Sequence, residues 1–529
     1  MGLSGVAITA SDRPAHPWSD ARQSRSNVLA GSVWTLASWL LSVAAALPLN
    51  VALVRLMSPS SFGIFALATG ISAFIVPFST FGLQDSVARQ ATQALTSEQH
   101  QGLSMVVRAA TRVAAYLMMF VLVIMVGVSL ALSRISSLSS VVPAFLMLAP
   151  VALVTPLGDA VMGLIQATFR PKIPLVSGAF RSGFLLALTI SLLAAGLRSA
   201  VSIAAAQTVA VGASVVVVIL WSGWVGHLRT RPEGSLGGKC FMSFGLAALA
   251  TTTLLVTVCQ LDVVFLGGLH GSAAAGAYAP VSGIADAIGG LFGILVSYAL
   301  PAMTAARICG KDADLLDLTR WISRWGLVLS APALALMGAA PGPLLHLLFG
   351  NRSAGMVLPA RILAVGVTIN VLLGFNSFAI LALGLPRVLV RNALFGLVVS
   401  VVACATLIPR LGAIGAAAAT AVAILVANGL ASLFLWHRVR FAPWDRPLAL
   451  TVAAFVAGTG AAVLLSRLAT DDLGRLAVTA SLSGIPTLAV SVLAGGAADR
   501  ELLLTAALNI VHGKVRLAYR GQHRKRAAQ

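Results

Sequence analysis

Fourteen continuous apolar runs, each about 20–30 residues long, leave this chain few folds to choose from. Backbone N–H and C=O groups inside lipid have no water to pair with. A crossing segment must therefore pair its own groups as a helix, or close with others into a barrel. Barrel strands alternate polar and apolar residues, and these runs do not. They lie near 29–54, 62–83, 113–132, 141–167, 173–196, 201–225, 243–268, 277–306, 325–349, 355–384, 388–408, 413–436, 447–466 and 476–496. A chain of 529 residues that is 58% hydrophobic and 10% charged, with mean hydropathy +0.94, cannot cover itself with a polar surface. The expected architecture is an all-α polytopic membrane protein with 14 transmembrane helices.

The net charge of +20 is distributed in a way that orients those helices. With the N-terminus placed in the cytoplasm, 28 of the 36 Lys and Arg residues fall inside. The eight outside are Arg55, Arg134, Arg198, Arg352, Arg361, Arg410, Arg467 and Arg475. Both termini are expected to be cytoplasmic, in a multi-pass membrane protein. The basic residues are scattered over every inner loop without interleaved aromatics, which argues against nucleic acid as a partner. Residues 1–28 read as a disordered cytoplasmic tail, and 497–529 as a basic cytoplasmic tail whose apolar start suits an interfacial helix on membrane lipid. Cys240, Cys259, Cys309 and Cys404 are isolated, so neither a disulfide framework nor a metal site is expected.

Two stretches of the sequence recur at one offset. Ser60–Ser72 lies over Ala273–Ala285, pairing Gly63 with Gly276, Phe65 with Tyr278 and Gly70 with Gly283; Arg198–Val211 lies over Leu411–Ile424. The step from Ser60 to Ala273 equals the step from Arg198 to Leu411, which points to an ancient doubling. Six spans separate the copies, and an even number preserves orientation, so the repeat is parallel with its axis along the membrane normal. The expectation is two pseudo-symmetric six-helix lobes, 29–226 and 243–436. A cytoplasmic linker at 227–242 joins them, two appended helices occupy 437–496, and a cavity lies between the lobes.

Several segments resemble a known family. Arg55-Leu-Met-Ser-Pro-Ser-Ser-Phe-Gly63 resembles the signature that follows the first span in polysaccharide-biosynthesis (O-antigen type) oligosaccharide flippases, in the multidrug/oligosaccharidyl-lipid/polysaccharide exporter superfamily. Further matching segments are Phe81–Arg89, Gln166–Arg170, Asp262 followed by Gly276-Ala-Tyr278, Leu348-Phe-Gly350 and Ile408–Ala416, in the family's order. The resemblance implies translocation of undecaprenyl-pyrophosphate-linked oligosaccharide repeat units to the outer leaflet of a bacterial inner membrane for O-antigen, capsule or exopolysaccharide. It also implies a polysaccharide polymerase and a chain-length regulator as partners. The alternatives are an ion-coupled small-molecule or multidrug antiporter of the same superfamily, or a lipid II flippase. The first span carries Asn50 where the antiporters tend to have a carboxylate, and 29–54 holds no charge where lipid II flippases carry arginines.

An ionisable residue at the bilayer centre costs roughly 2.5–3.5 kcal/mol, so those inside spans should face a cavity or a partner. Asp159 and Asp286 are the deepest carboxylates, suited to a coupling cation or sugar hydroxyls, or to an interhelical hydrogen bond. Arg89, Arg181, Arg307, Arg324 and Arg391 stand at inner span ends. Their forked donors there can take a pyrophosphate, or simply serve topology by snorkelling. Arg361 sits at an outer end, where orientation does not ask for a cation. Asn376 is a neutral partner for sugars or for another helix. Asp262 is a candidate gate or ion-pair residue, with helix-end solvation as its rival. Asp85 is a second gating candidate and could simply pair with Arg89 four residues on. No catalytic constellation, cofactor motif or nucleotide-binding loop occurs, so a non-enzymatic transporter is expected.

Overall fold

A computed structural model describes residues 40–96, 100–135, 138–168, 172–229, 260–308, 312–350, 355–442, 444–469 and 471–495. The tails and the linker between the lobes lie outside these residues, apart from 227–229. Among the described residues the chain is helical and without strands. The first half comprises α1 (Leu40–Leu56), α2 (Pro59–Thr80), α3 (Leu83–Thr96), α4 (His100–Arg134), α5 (Val142–Ala167), α6 (Lys172–Ala194), α7 (Ala200–Ser222) and α8 (Trp224–Arg229). The second half opens with α9 (260–270), α10 (Ser272–Ile308), α11 (Asp312–Ala339), α12 (Pro341–Phe349) and α13 (Val357–Leu373). It continues through α14 (Phe375–Ala382), α15 (Pro386–Leu411), α16 (Ala413–Val439), α17 (Arg446–Leu465) and α18 (Asp472–Ala494).

Among the described residues, eleven stretches are long and apolar enough to cross a membrane. The first and seventh expected spans are described only in part, and the eighth lies within the 37-residue α10. Large apolar side chains such as Tyr116, Val123, Leu220, Leu464 and Ile485 are exposed on the outside of the bundle. In water that surface would be untenable; in lipid it is the solvated face. The protein is a multi-pass membrane protein. One inner connection differs from expectation. Phe81 and Gly82, at φ 45° and 60°, turn the chain sharply, and α3 then runs as a separate helix. It packs on α4 and α5, so closely that a Cβ on Gly163 would overlap the Gln84 carbonyl.

The repeat is visible in the helix starts. α2 and α10 begin at Pro59 and Ser272, α7 and α16 at Ala200 and Ala413, and both pairs keep the offset of the sequence repeat. Local chemistry sets these starts. The Ser58 hydroxyl accepts the Ser61 N–H at 3.1 Å and Pro59 occupies the first helical turn; Ser199 accepts from Ser202 at 3.2 Å; Gly271 (φ 86°) and Gly412 (φ 55°) make the equivalent turns in the second half. All four starts lie on the face that the loop charges assign to the outside, called the outer face below.

Where the halves meet, the contact is reciprocal. A Cβ on Gly63 would overlap the Ser272 carbonyl oxygen, and a Cβ on Gly276 would overlap that of Pro59. Gly63 and Gly276 are repeat equivalents, as are Pro59 and Ser272. A pair of contacts that exchanges equivalents in this way is what a two-fold axis produces. α2 against α10 is the main packing between halves among the described elements.

Buried side chains show how far that seam extends. One core takes residues from both halves, among them Leu53, Phe62 and Phe145 from the first and Leu266, Tyr278 and Phe349 from the second. Toward the inner face this core gives way to two separate ones. Leu83–Ala114, Ala160–Ile173 and Val218–Trp224 contribute to a core of the first half alone; Met303–Ile322, Phe375–Ala382 and Ala431–Phe441 contribute to a core of the second half alone. Among the described residues the halves thus share one core near the outer face and have separate cores toward the inner one.

Candidate functional site

One cluster of buried polar groups lies in the second half, beside the seam. Asp262 on α9 is fully buried and accepts three hydrogen bonds. The Tyr278 hydroxyl of α10 donates to Oδ2 at 2.6 Å, the Thr420 hydroxyl of α16 donates to the same oxygen at 2.9 Å, and the Val263 N–H donates to Oδ1 at 2.7 Å. A buried carboxylate is costly to desolvate, and donors held by two other helices offset that cost while fixing their relative positions. Helix-end solvation is therefore not what Asp262 experiences.

A second carboxylate lies deeper. Asp286 on α10 accepts a hydrogen bond from the Gln260 amide of α9 at 3.4 Å, and its side chain is exposed rather than buried. Gln260 Oε1 lies 3.7 Å from where a Cβ on Gly70 of α2 would sit, so this pair borders the seam. Asp286 is 14 residues along α10 from its outer start, about 21 Å at 1.5 Å per residue, near the level where the shared core ends.

The other sequence candidates lie on separate helices of both halves. Asp159 is half-buried in α5, a helix carrying Pro150 and Pro156 inside it. Arg181 on α6, Arg307 in the last turn of α10, Arg361 on α13 and Arg391 on α15 are exposed. Arg324 departs from its expected place at a span end. α11 begins at Asp312, so Arg324 stands about three turns inside the helix and is buried. Asn376 is buried and donates to the Ser432 hydroxyl at 2.8 Å, and the Asn428 amide donates to Asn370 Oδ1 at 3.0 Å. These asparagines staple α14 and α13 to α16. Asp85 and Arg89 belong to α3, but their side chains lie outside the described residues, as does that of Gln166. Among the described residues no group of three or more His, Cys, Asp or Glu side chains could hold a metal ion.

Sequence reasoning missed Gln260 and Thr420 and gave Tyr278 no role. A signal for Gln260 and Tyr278, though not for Thr420, was present in the repeat. The first-copy equivalents of Gln260, Asp262, Tyr278, Thr420 and Asp286 are Leu47, Leu49, Phe65, Gln207 and Ala73. Four polar positions of the second half thus have apolar counterparts in the first.

A family profile described as polysaccharide biosynthesis protein matches residues 52–358, more than half of the chain. The chain belongs to that family. The match spans the seam, α2, α10 and the Asp262 and Asp286 sites. Among solved structures, an inward-facing multidrug resistance MATE family transporter of the MOP superfamily aligns with TM-score 0.59 at 13% identity, covering 78% of this chain and 98% of its own. A MOP superfamily transporter from Pyrococcus furiosus, noted for a binding pocket of reversed polarity, aligns with TM-score 0.59 at 14% identity, covering 80% and 96%. An outward-facing structure of a multidrug resistance MATE family transporter also gives 0.59 at 14% identity, with the same coverage of 80% and 96%. At such identities these likenesses establish the fold, which this member of the polysaccharide biosynthesis family shares with MOP superfamily transporters. Among curated proteins, none matches this sequence.

Proposed function

We propose that the protein flips undecaprenyl-pyrophosphate-linked oligosaccharide repeat units across the bacterial inner membrane by alternating access between its two halves. The family match carries this reading, because it ties a MOP-type fold to polysaccharide assembly. The division of the described core supports it, with one shared part near the outer face and two separate parts toward the inner face; an inner entry between the halves would have the exposed Asp286 at its apex. Headgroup and sugars would cross there while the polyprenyl chain stays in lipid. Asp286 and Gln260 offer an acceptor and an amide for sugar hydroxyls, and the exposed Arg181, Arg307 and Arg391 stand toward the inner ends of their helices, where forked guanidinium donors suit a pyrophosphate. The buried Asp262 cluster is a scaffold that fixes α9, α10 and α16 around this apex.

The test is a deletion strain. Accumulation of the lipid-linked repeat unit in the inner leaflet, with loss of surface glycan, supports the flippase. Normal glycan with altered sensitivity to cationic drugs would assign the fold to small-molecule export instead.

A further inference from the structure

The Arg55 side chain bridges the halves at the outer face. It stands at the end of α1, and its guanidinium reaches the end of α12, in the other half of the sequence: Nε donates to Leu348 O at 3.0 Å and a terminal nitrogen donates to Leu347 O at 2.7 Å. The last carbonyls of a helix lack intrahelical donors and carry its negative dipole end, which a cation suits. In α12 the Gly350 N–H takes the His346 carbonyl, and Arg55 takes the next two. Two of the sequence motifs, the one that begins at Arg55 and the one that spans Leu348–Gly350, thus form a single contact. Beneath it Leu53 and Met57 of the α1 end and Leu345 and Phe349 of α12 all belong to the shared core.

We propose that Arg55 is a latch, with the carbonyl end of α12 as its catch, that holds the outer ends of the two halves together while the inner side is open. Opening outward requires both Arg55 bonds to break and the Gly63–Gly276 contact to part. The fork matters, because two carbonyls one residue apart are engaged at once; a lysine ammonium, a point charge on a flexible stem, does not reproduce it. The proposal rests on the alternating-access reading, but its test requires no substrate.

Spin labels at Ser60 and Ala273, repeat equivalents exposed at the outer ends of α2 and α10, report the outer separation. Labels at Val225 and Leu385, exposed at the inner ends of the halves, report the inner one. Distances are measured by double electron–electron resonance in lipid vesicles, in a background with all four cysteines replaced. Arg55→Ala should raise the population with a long outer distance at least threefold and shorten the inner distance; Arg55→Lys should fall between. Gly276→Val, which must force the seam apart, verifies that the labels report opening. Arg55→Gln, which keeps a polar amide but loses the charge and the fork, is measured alongside in case the alanine variant fails to insert. Distributions for both neutral variants that superimpose on the parent while Gly276→Val moves would overturn the latch. So would a lengthening of both pairs together, which indicates loosening rather than switching. If the distances shift as expected but a deletion strain makes normal glycan, the substrate assignment fails and the latch stands.

Discussion

The two copies of the repeat share a backbone plan and differ in polarity. At the seam, Leu49, Phe65 and Ala73 of the first copy stand where the second has Asp262, Tyr278 and Asp286. Helix starts that keep the repeat offset and reciprocal glycine contacts show that the frame was kept. What diverged is a set of side chains that a membrane interior penalises unless they are partnered or functional. At these seam positions the polar side chains belong to the second copy, whereas farther from the seam the relation reverses, with Asp159 and Arg181 of the first half standing where the second has Leu372 and Leu394.

Converting the second copy into the first is the most damaging way to test this. Asp262→Leu installs the residue of the first copy and strands the Tyr278 and Thr420 hydroxyls, each at about 1–3 kcal/mol. A clear drop in the thermal melting point of the purified protein in detergent is expected. Adding Tyr278→Phe removes one stranded donor and should recover part of the loss, since removing both partners of a hydrogen bond costs less than removing one. An unchanged melting point for Asp262→Leu would mean that the cluster does not hold α9, α10 and α16 together.

Next in size are the glycines, which compare the copies at equivalent backbone. Gly63→Val and Gly276→Val each push a side chain into the opposite helix start, and overpacking of this kind costs about 1–3 kcal/mol. The two losses should agree closely if the axis relates them. Gly283→Val should be nearly neutral, because nothing lies within 4 Å of its Cβ position, although its equivalent Gly70 has Val264 at 3.4 Å. A marked inequality between Gly63→Val and Gly276→Val in the same melting assay would break the symmetry argument.

Asp286→Asn separates function from stability. Its bond to Gln260 is long, at 3.4 Å, and its side chain is exposed, so a cost below about 1 kcal/mol is expected. Surface glycan should nevertheless fall severalfold at equal protein level in the membrane. Full glycan output from this variant would remove Asp286 from the cavity lining.

Much of the frame was legible in the sequence, because lipid makes length and apolarity nearly sufficient to specify a crossing helix. The doubling was legible too, since Gly63 and Gly276 must both stay small for their helices to touch. The site was less so. Asp262 and Asp286 stood out as charges in apolar runs, but whether each was buried depended on which face of α9 and α10 meets the seam. Composition alone does not fix that rotation when a helix is apolar all round. Thr420 was invisible because a hydroxyl in a membrane helix ordinarily bonds its own backbone, as Thr368 does with the Ala364 carbonyl. Arg324 was misplaced because α11 starts among charged residues, ahead of the point at which hydropathy rises.

The smallest difference between the copies lies behind the site. Asn428 of α16 is paired with Asn370 of α13, whereas its first-copy equivalent, Val215 of α7, packs at 3.1 Å from the Cβ position of Gly158 on α5. One copy joins these helices by an amide pair, the other by a close apolar contact. Interhelical hydrogen bonds in membranes average about 0.6 kcal/mol, because unpaired partners find other bonds within the bundle. Asn428→Val, which installs the residue of the first copy, should therefore lower the melting point only slightly and leave surface glycan near the parent level. A loss of glycan without a stability change would move Asn428 from a staple between helices to a group that meets substrate, and would place it beside Asp286 and Gln260 in function.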